Sequence, residues 1–248
     1  MTFSRRIVRE LLQNSVTEQC ELEKVYALLP VTSCRRRTHC CLVLPEMTLL
    51  EALMAIHRLV RMAPAMRRQL MKKLVAYFFL NAVEITSCPF LDGMHCLIYR
   101  DRFFGCRAYG LWSRGFYEEL ETRNRKAKIP LQQQWQNLGI SLPQTIIDFQ
   151  VPYCPFVETE DHALIDDDML LDARERIERL SQRFSFWHQA FHRRYFSDLS
   201  FLLASLMFGF TDIIKEKLAV VSDIVTDGDK ERLDRIVAEL PDLCAELT

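Results

Sequence analysis

Nine cysteines are spread unevenly along the 248-residue chain. Seven fall into three groups: Cys34-x5-Cys40-Cys41, then Cys88-x7-Cys96-x9-Cys106, then Cys154. Thiolates bind soft or borderline metals, so iron–sulfur clusters and zinc lead while calcium and magnesium are set aside. A [4Fe–4S] cluster and a Cys₄ zinc site each take four thiolates, and the supply exceeds either demand. A centre that occupies more of the thiols accounts better for their number, so an iron–sulfur cluster, of the 4Fe–4S type, is expected, with zinc as the alternative. Adjacent side chains usually diverge, so Cys40 and Cys41 are expected to serve different metal atoms. The competing reading is a set of buried free cysteines packed as small hydrophobes. Cys20 and Cys244 lie in helical patterns outside the groups. Replacing Cys96 with serine is expected to release metal and lower the melting temperature, and Cys244→Ser to do neither.

One stretch carries a resemblance. It runs Cys88-Pro89-Phe90-Leu91-Asp92-Gly93-Met94-His95-Cys96-Leu97-Ile98-Tyr99 and continues through Arg102 to Cys106-Arg107-Ala108-Tyr109. It resembles the signature of the YkgJ-like cysteine-cluster family, a zinc- or iron-chelating domain whose pattern reads C-P-[FL]-L, C-x-I-Y, R-P and C-R-x-Y. Cys40-Cys41 is similar to that family's C-C pair, so the match covers Cys34 to Tyr109. Two features depart from the pattern. Phe103 stands where a proline follows the arginine, and Cys34-x5-Cys40-Cys41 replaces the short C-x-x-C spacings before the pair. The family includes relatives of a flagellin lysine N-methylase with an iron–sulfur cluster, which implies such a centre here. It also implies that Arg102 and Arg107 lie beside the ligand cysteines and bind the cofactor, through hydrogen bonds to cluster sulfur or to the loop backbone.

Other signals are weaker. Arg35-Arg36-Arg37 would offset thiolate charge beside Cys34, or would simply be a solvated loop. His39 and His95 each precede a cluster cysteine and are more readily neighbours than ligands. His188 and His192 stand four apart on a helix, but Gln189-Ala190-Phe191 between them lacks the glutamate of H-E-x-x-H. They read as packing or surface residues. The aromatic stretch Phe184 to Phe210 reads as core, and any exposed part of it as a partner or self-association surface.

Around these residues the pattern is helical nearly throughout. Helices are expected over Thr17 to Leu29, after Pro45 with Leu49 to Val60 recurring at helical spacing, and from Pro64 with Met66, Leu70, Leu74, Tyr77 and Phe78 inward. The period breaks from Val83 to Gly110. An exposed charged helix is expected over Ser113 to Lys128, then a glutamine-rich stretch and a proline-punctuated connector. Asp166-Asp167-Asp168 is a natural helix start. The helix after it is expected to bury residues from Leu170 to Phe191, followed by two apolar segments and a last helix from Leu233 to Leu243. The fold class is therefore mostly α. An irregular cysteine-rich metal-binding region packed with helices is expected over residues 1–160, and a helical bundle over residues 161–248.

Composition narrows the function classes. The formal net charge of −1 supplies no strong field toward nucleic acid or an anionic membrane. Seven glycines, with no G-x-G-x-x-G, no P-loop and no G-x-S-x-G, argue against the common nucleotide folds and the serine-hydrolase elbow. The run Leu199 to Phe210 is far short of the roughly 20 residues that span a bilayer. The amino terminus lacks the apolar core of a signal peptide, so a cytoplasmic protein with reduced thiols is expected. Three functions fit: a redox or accessory/maturation factor acting with a protein partner, a cluster-dependent modifying enzyme similar to the lysine N-methylase, or a structural zinc protein. No S-adenosylmethionine motif is recognisable.

Overall fold

The computed structural model describes residues 2–34, 38–159 and 166–247. The fold is mostly α, as the periodicity leads one to expect. In chain order the helices are α1 (Arg5–Asn14), α2 (Val16–Ala27), α3 (Leu49–Val60), α4 (Pro64–Leu80), α5 (Phe104–Arg107), α6 (Arg114–Asn137), α7 (Gln144–Ile147), α8 (Asp167–Ser181), α9 (Ser185–Tyr195), α10 (Leu199–Phe208), α11 (Phe210–Asp227), α12 (Glu231–Ala238) and α13 (Leu243–Leu247). Four short strands make two antiparallel pairs. β1 (Thr32–Cys34) pairs with β4 (Val157–Thr159), Cys34 opposite Val157; β2 (Leu91–Asp92) pairs with β3 (His95–Cys96), Leu91 opposite Cys96.

The central helix is α3, and its start is fixed by a capping box rather than by Pro45. The Thr48 hydroxyl accepts from the Glu51 N–H at 3.3 Å, and the Glu51 carboxylate accepts from the Thr48 N–H at 2.8 Å. From Leu49 to Ile56 every residue of α3 is buried, so the helix faces protein on all sides. Pro64 does open α4, where a missing N–H costs nothing. Leu70, Leu74, Tyr77 and Phe78 are buried there as expected, but Met66 is 47% exposed and does not face inward.

Three helix boundaries differ from those expected. α6 does not stop at Lys128 but runs through Pro130 to Asn137. None of its residues is buried, so a surface helix carries the missing hydrogen bond of a proline in contact with water. Asp166 does cap α8, accepting from the Met169 N–H at 2.7 Å, but that helix ends at Ser181. A 3₁₀ turn over Gln182–Phe184 then redirects the chain into α9. The last helix is likewise two: α12 ends before Pro241 and α13 follows it.

One apolar core joins the beginning, middle and end of the chain. It contains Phe3, Leu53, Ile56, Phe78, Tyr195 and Phe201, and it takes in Cys88, Phe90, Ile98 and Phe103 from the cysteine-bearing stretch. Residues of 1–160 and of 166–247 therefore share a core. A second cluster packs α2 and α8 against Leu50, Met54, Phe104 and Trp112. Between the two, α3 touches both and holds the cysteine loops at their base.

The β1–β4 pair is seated against Gly110. That residue has φ +82°, and a Cβ built on it would lie 2.5 Å from Val157 Cγ2 and 3.3 Å from the Cys154 carbonyl oxygen. Only glycine meets both demands, the left-handed backbone and the close approach. Gly110→Ala is expected to destabilise the protein by roughly 1–3 kcal/mol from backbone strain, with the clash added. Chemical denaturation checks this, and a change within error would show that the pair tolerates displacement.

Candidate metal centre

Five of the seven grouped cysteines are brought to one place. A 3₁₀ turn over His39–Cys41 carries the adjacent pair. The Cys88 N–H donates to the Cys41 carbonyl at 2.7 Å, which ties the pair to the second group. Leu91 N–H then donates to the Cys88 carbonyl at 2.9 Å, and the β2–β3 hairpin turns at Gly93, φ +57°, to return Cys96 beside Leu91. Cys106 follows on α5, whose first residues are buried through Phe103 and Phe104. Phe90 and Phe103 meet edge to face at 5.9 Å beneath these loops.

Helices α3 and α4 hold this platform from below. Tyr77 of α4 accepts from the Leu44 N–H at 2.9 Å, just beyond the adjacent pair. Lys73 donates to the Leu91 carbonyl at 3.3 Å. On α3, Arg58 pairs with Asp101 at 3.5 Å and Glu51 accepts from the Phe104 N–H at 2.6 Å. The sequence pattern gave no warning of Glu51 as a site residue, because its i, i+3 place in a capping box already explains it.

The five thiols act on one another electrostatically. Burial pushes Cys88 up to about 12, with the charges of Cys96 and Cys40 adding to it. Burial also raises Cys96 and Cys106, and each feels Cys40; Cys106 feels Cys88 and Cys96 as well. Cys40 and Cys41 stand with their sulfurs 3.7 Å apart. The hydrogen bond from Cys41 is the largest cause lowering Cys40 to about 7, and the same bond raises Cys41. The two side chains thus do not diverge as adjacent residues usually do. A 3₁₀ turn advances its side chains by about 120° per residue, yet torsions bring these two sulfurs together.

Arg102 is the cation common to the group. Its charge lowers Cys40, Cys96 and Cys106, in each case as a minor contribution. Its guanidinium lies 4.0 Å from the Tyr99 ring centroid, and Nε donates to the Tyr99 carbonyl at 3.1 Å. Arg107 faces the other way, 4.3 Å over the Tyr26 ring. Its Nε donates to the Arg102 carbonyl at 2.8 Å and its Nη2 to the Arg100 carbonyl. Both arginines therefore bond to loop backbone, one of the two roles expected of them.

Cys154 is buried against Tyr117, whose hydroxyl it acts on, and against Gly110. The backbone of Cys34 sits in β1, while its side chain and Arg35-Arg36-Arg37 lie outside the described residues, as do Glu160 and Asp161. Cys20 is exposed on α2. Cys244 is buried in the core, so serine there would place a hydroxyl among apolar groups, and the expectation of a silent replacement is corrected. His188 bonds Ser181 and Glu178, and His192 bonds Ser197, which are packing roles. His95 is exposed. Nδ1 of His39 is buried without a hydrogen-bond partner, one residue before Cys40.

Among the described residues, no three or more histidine, cysteine, aspartate or glutamate side chains are disposed to hold a metal ion as they stand. The atoms themselves are of the kind a soft metal takes, thiol sulfurs and an unpartnered imidazole nitrogen, with Arg102 and Arg107 as neighbouring cations. Each Sγ can change position by rotation about a single Cα–Cβ bond. Surface hollows lined by Phe186, Gln189 and Arg193, and by Glu118, Thr122 and Lys126, contain no cysteine. No protein-family model matches the chain, and neither a curated protein nor a solved structure matches it.

Burial and ease of ionising set an order of thiol reactivity. In metal-free, folded protein, iodoacetamide should label exposed Cys20 and the readily ionised Cys40 first and Cys88, Cys154 and Cys244 last, read by peptide mass spectrometry. Labelling of all of them at one rate would contradict the arrangement described.

Proposed function

We propose that the protein is a metal-binding protein whose centre is an iron–sulfur cluster held by cysteines of the group Cys40, Cys41, Cys88, Cys96 and Cys106, and that it serves as a redox or accessory factor for a partner protein. The observation that carries this reading is the convergence of two cysteine groups: the Cys88 N–H donates to the Cys41 carbonyl at 2.7 Å, the Cys40 and Cys41 sulfurs stand 3.7 Å apart, and Cys41, Cys96 and Cys106 pack against the core cluster that contains Cys88. Thiols packed only as small hydrophobes have no need to stand beside one another. Neighbouring thiolates repel, and a bound cation removes that cost, so the arrangement suits metal loading coupled to proton release. A cluster would supply one-electron chemistry, with its potential set by burial and by hydrogen bonds from the loops. Cys34 and Cys154 remain candidates for the rest of the ligand set or for a second centre.

A structural zinc site is the second reading, and one distance favours it. Two sulfurs bound to one tetrahedral metal at about 2.3 Å stand roughly 3.7 Å apart. That is the separation of Cys40 and Cys41. Five thiols exceed the four that either centre takes, so metal analysis decides between the two readings.

Protein expressed with ample iron and purified without oxygen should be brown, absorb broadly near 400 nm and bleach on reduction. Cys96→Ser should lose the colour and melt lower, because a metal held by loops contributes its binding energy to folding. Cys20→Ser should change neither, and Cys244→Ser should melt lower while staying coloured. Colourless protein with stoichiometric zinc would establish the second reading, and protein without bound metal would refute both.

A further inference from the structure

We propose that Glu51 is a positioning residue for the cysteine loop: its buried carboxylate fixes the Arg102–Cys106 segment and thereby sets the place of Cys106 among the thiols. This rests on the reading of those thiols as one functional site. Glu51 is only 2% exposed and lies in the middle of the protein, where an ionisable side chain needs several partners to be tolerated. Its two oxygens are used differently. Oε2 accepts from Thr48 N–H at 2.8 Å and from Thr48 Oγ1 at 3.0 Å, which is the helix cap. Oε1 accepts from Tyr26 Oη at 2.7 Å and from Phe104 N–H at 2.6 Å, and neither belongs to α3.

A capping box needs only the first oxygen. The second connects α3 to the loop two residues before Cys106 and to Tyr26. Burial, then the charge of Glu51, keeps the Tyr26 hydroxyl protonated and so a donor. The ring of Tyr26 in turn carries the Arg107 guanidinium, which binds the carbonyls of Arg100 and Arg102. The loop is thus held from two directions, by its Phe104 N–H directly and by its carbonyls through Arg107, and both routes end on the same carboxylate oxygen. Arg102, whose charge acts on Cys40, Cys96 and Cys106, is carried on that loop.

The two halves of the carboxylate can be separated by substitution. Glu51→Ala removes both. Glu51→Gln can keep an oxygen toward Phe104 and Tyr26 while turning its amide to the Thr48 hydroxyl. Thr48→Ala weakens only the cap. Tyr26→Phe removes one donor and leaves the ring under Arg107. In metal-free, folded protein the rate at which iodoacetamide labels Cys106 is expected to rise about ten-fold in Glu51→Ala, since a hydrogen bond to a buried charge is lost. It should rise about two-fold in Tyr26→Phe and stay near the native rate in Glu51→Gln and Thr48→Ala, although Thr48→Ala melts lower. If Glu51→Ala does not fold, the contrast between Tyr26→Phe and Thr48→Ala decides. Equal labelling across the folded variants, or a rise in Thr48→Ala matching that in Tyr26→Phe, would overturn the proposal. The measurement needs no metal. A chain that labels as expected yet binds neither iron nor zinc supports the role of Glu51 while refuting the metal centre. In protein that does load, Glu51→Ala should lower metal bound per chain, and Glu51→Gln should restore it.

Discussion

Like charges held side by side in a partly desolvated place constrain everything around them. Burial raises the cost of ionising Cys40, Cys41, Cys88, Cys96 and Cys106, and neighbouring thiols raise it further for all but Cys40, which Cys41 instead lowers to about 7. Apart from Cys40, the thiols stay protonated unless a positive charge joins them. Arg102 supplies part of that charge from the rim. A soft cation would supply the rest, with thiol sulfurs and the unpartnered Nδ1 of His39 as its nearest donors. The loops that carry them are held by burial of Phe90, Ile98 and Phe103 in the core and by the Cys88 N–H bond to the Cys41 carbonyl.

The rigid structure is α3. It is buried on all sides, and its flanks reach the first apolar cluster through Leu53 and Ile56 and the second through Leu50 and Met54. Glu51 at its beginning and Arg58 near its end reach Phe104 and Asp101, either side of Arg102. The cysteine loops are therefore irregular in backbone but not loosely attached. Their aromatic residues, Phe90 and Phe103, are buried in the same core as α10 and α13.

Much of this was legible in the sequence. Apolar spacing marked α2, α3, α4, α8 and α10, and the loss of period between Val83 and Gly110 marked the loop region. Pro64 and Asp166 announced helix starts through chemistry that acts locally. Elements decided by tertiary contact were not legible. Pro130 should end a helix by local rules, yet α6 continues on the surface where water can satisfy the freed carbonyl. The break after Ser181 has no local signal: its hydroxyl accepts from the Leu50 N–H at 3.2 Å, a partner 131 positions away. Spacing set Cys88, Cys96 and Cys106 in one group and Cys40 and Cys41 in another, with no sign of the Cys88 to Cys41 backbone hydrogen bond that ties them. Nor did it show that Cys154 acts on the Tyr117 hydroxyl, because one-dimensional spacing carries no information on where a connector folds back. Glu51 was hidden for the opposite reason, since a capping box accounts for a glutamate at that position without any further role.

The central claim is that sulfur from these cysteines surrounds a metal. X-ray absorption at the K-edge of whatever metal the anaerobically purified protein carries reads that shell directly. The account predicts sulfur neighbours at about 2.3 Å, the ordinary thiolate distance, with a second shell of iron where a cluster has formed. Loss of that shell in Cys96→Ser would complete the assignment. A first shell of nitrogen and oxygen, or a sulfur shell unchanged in Cys96→Ser, would contradict it.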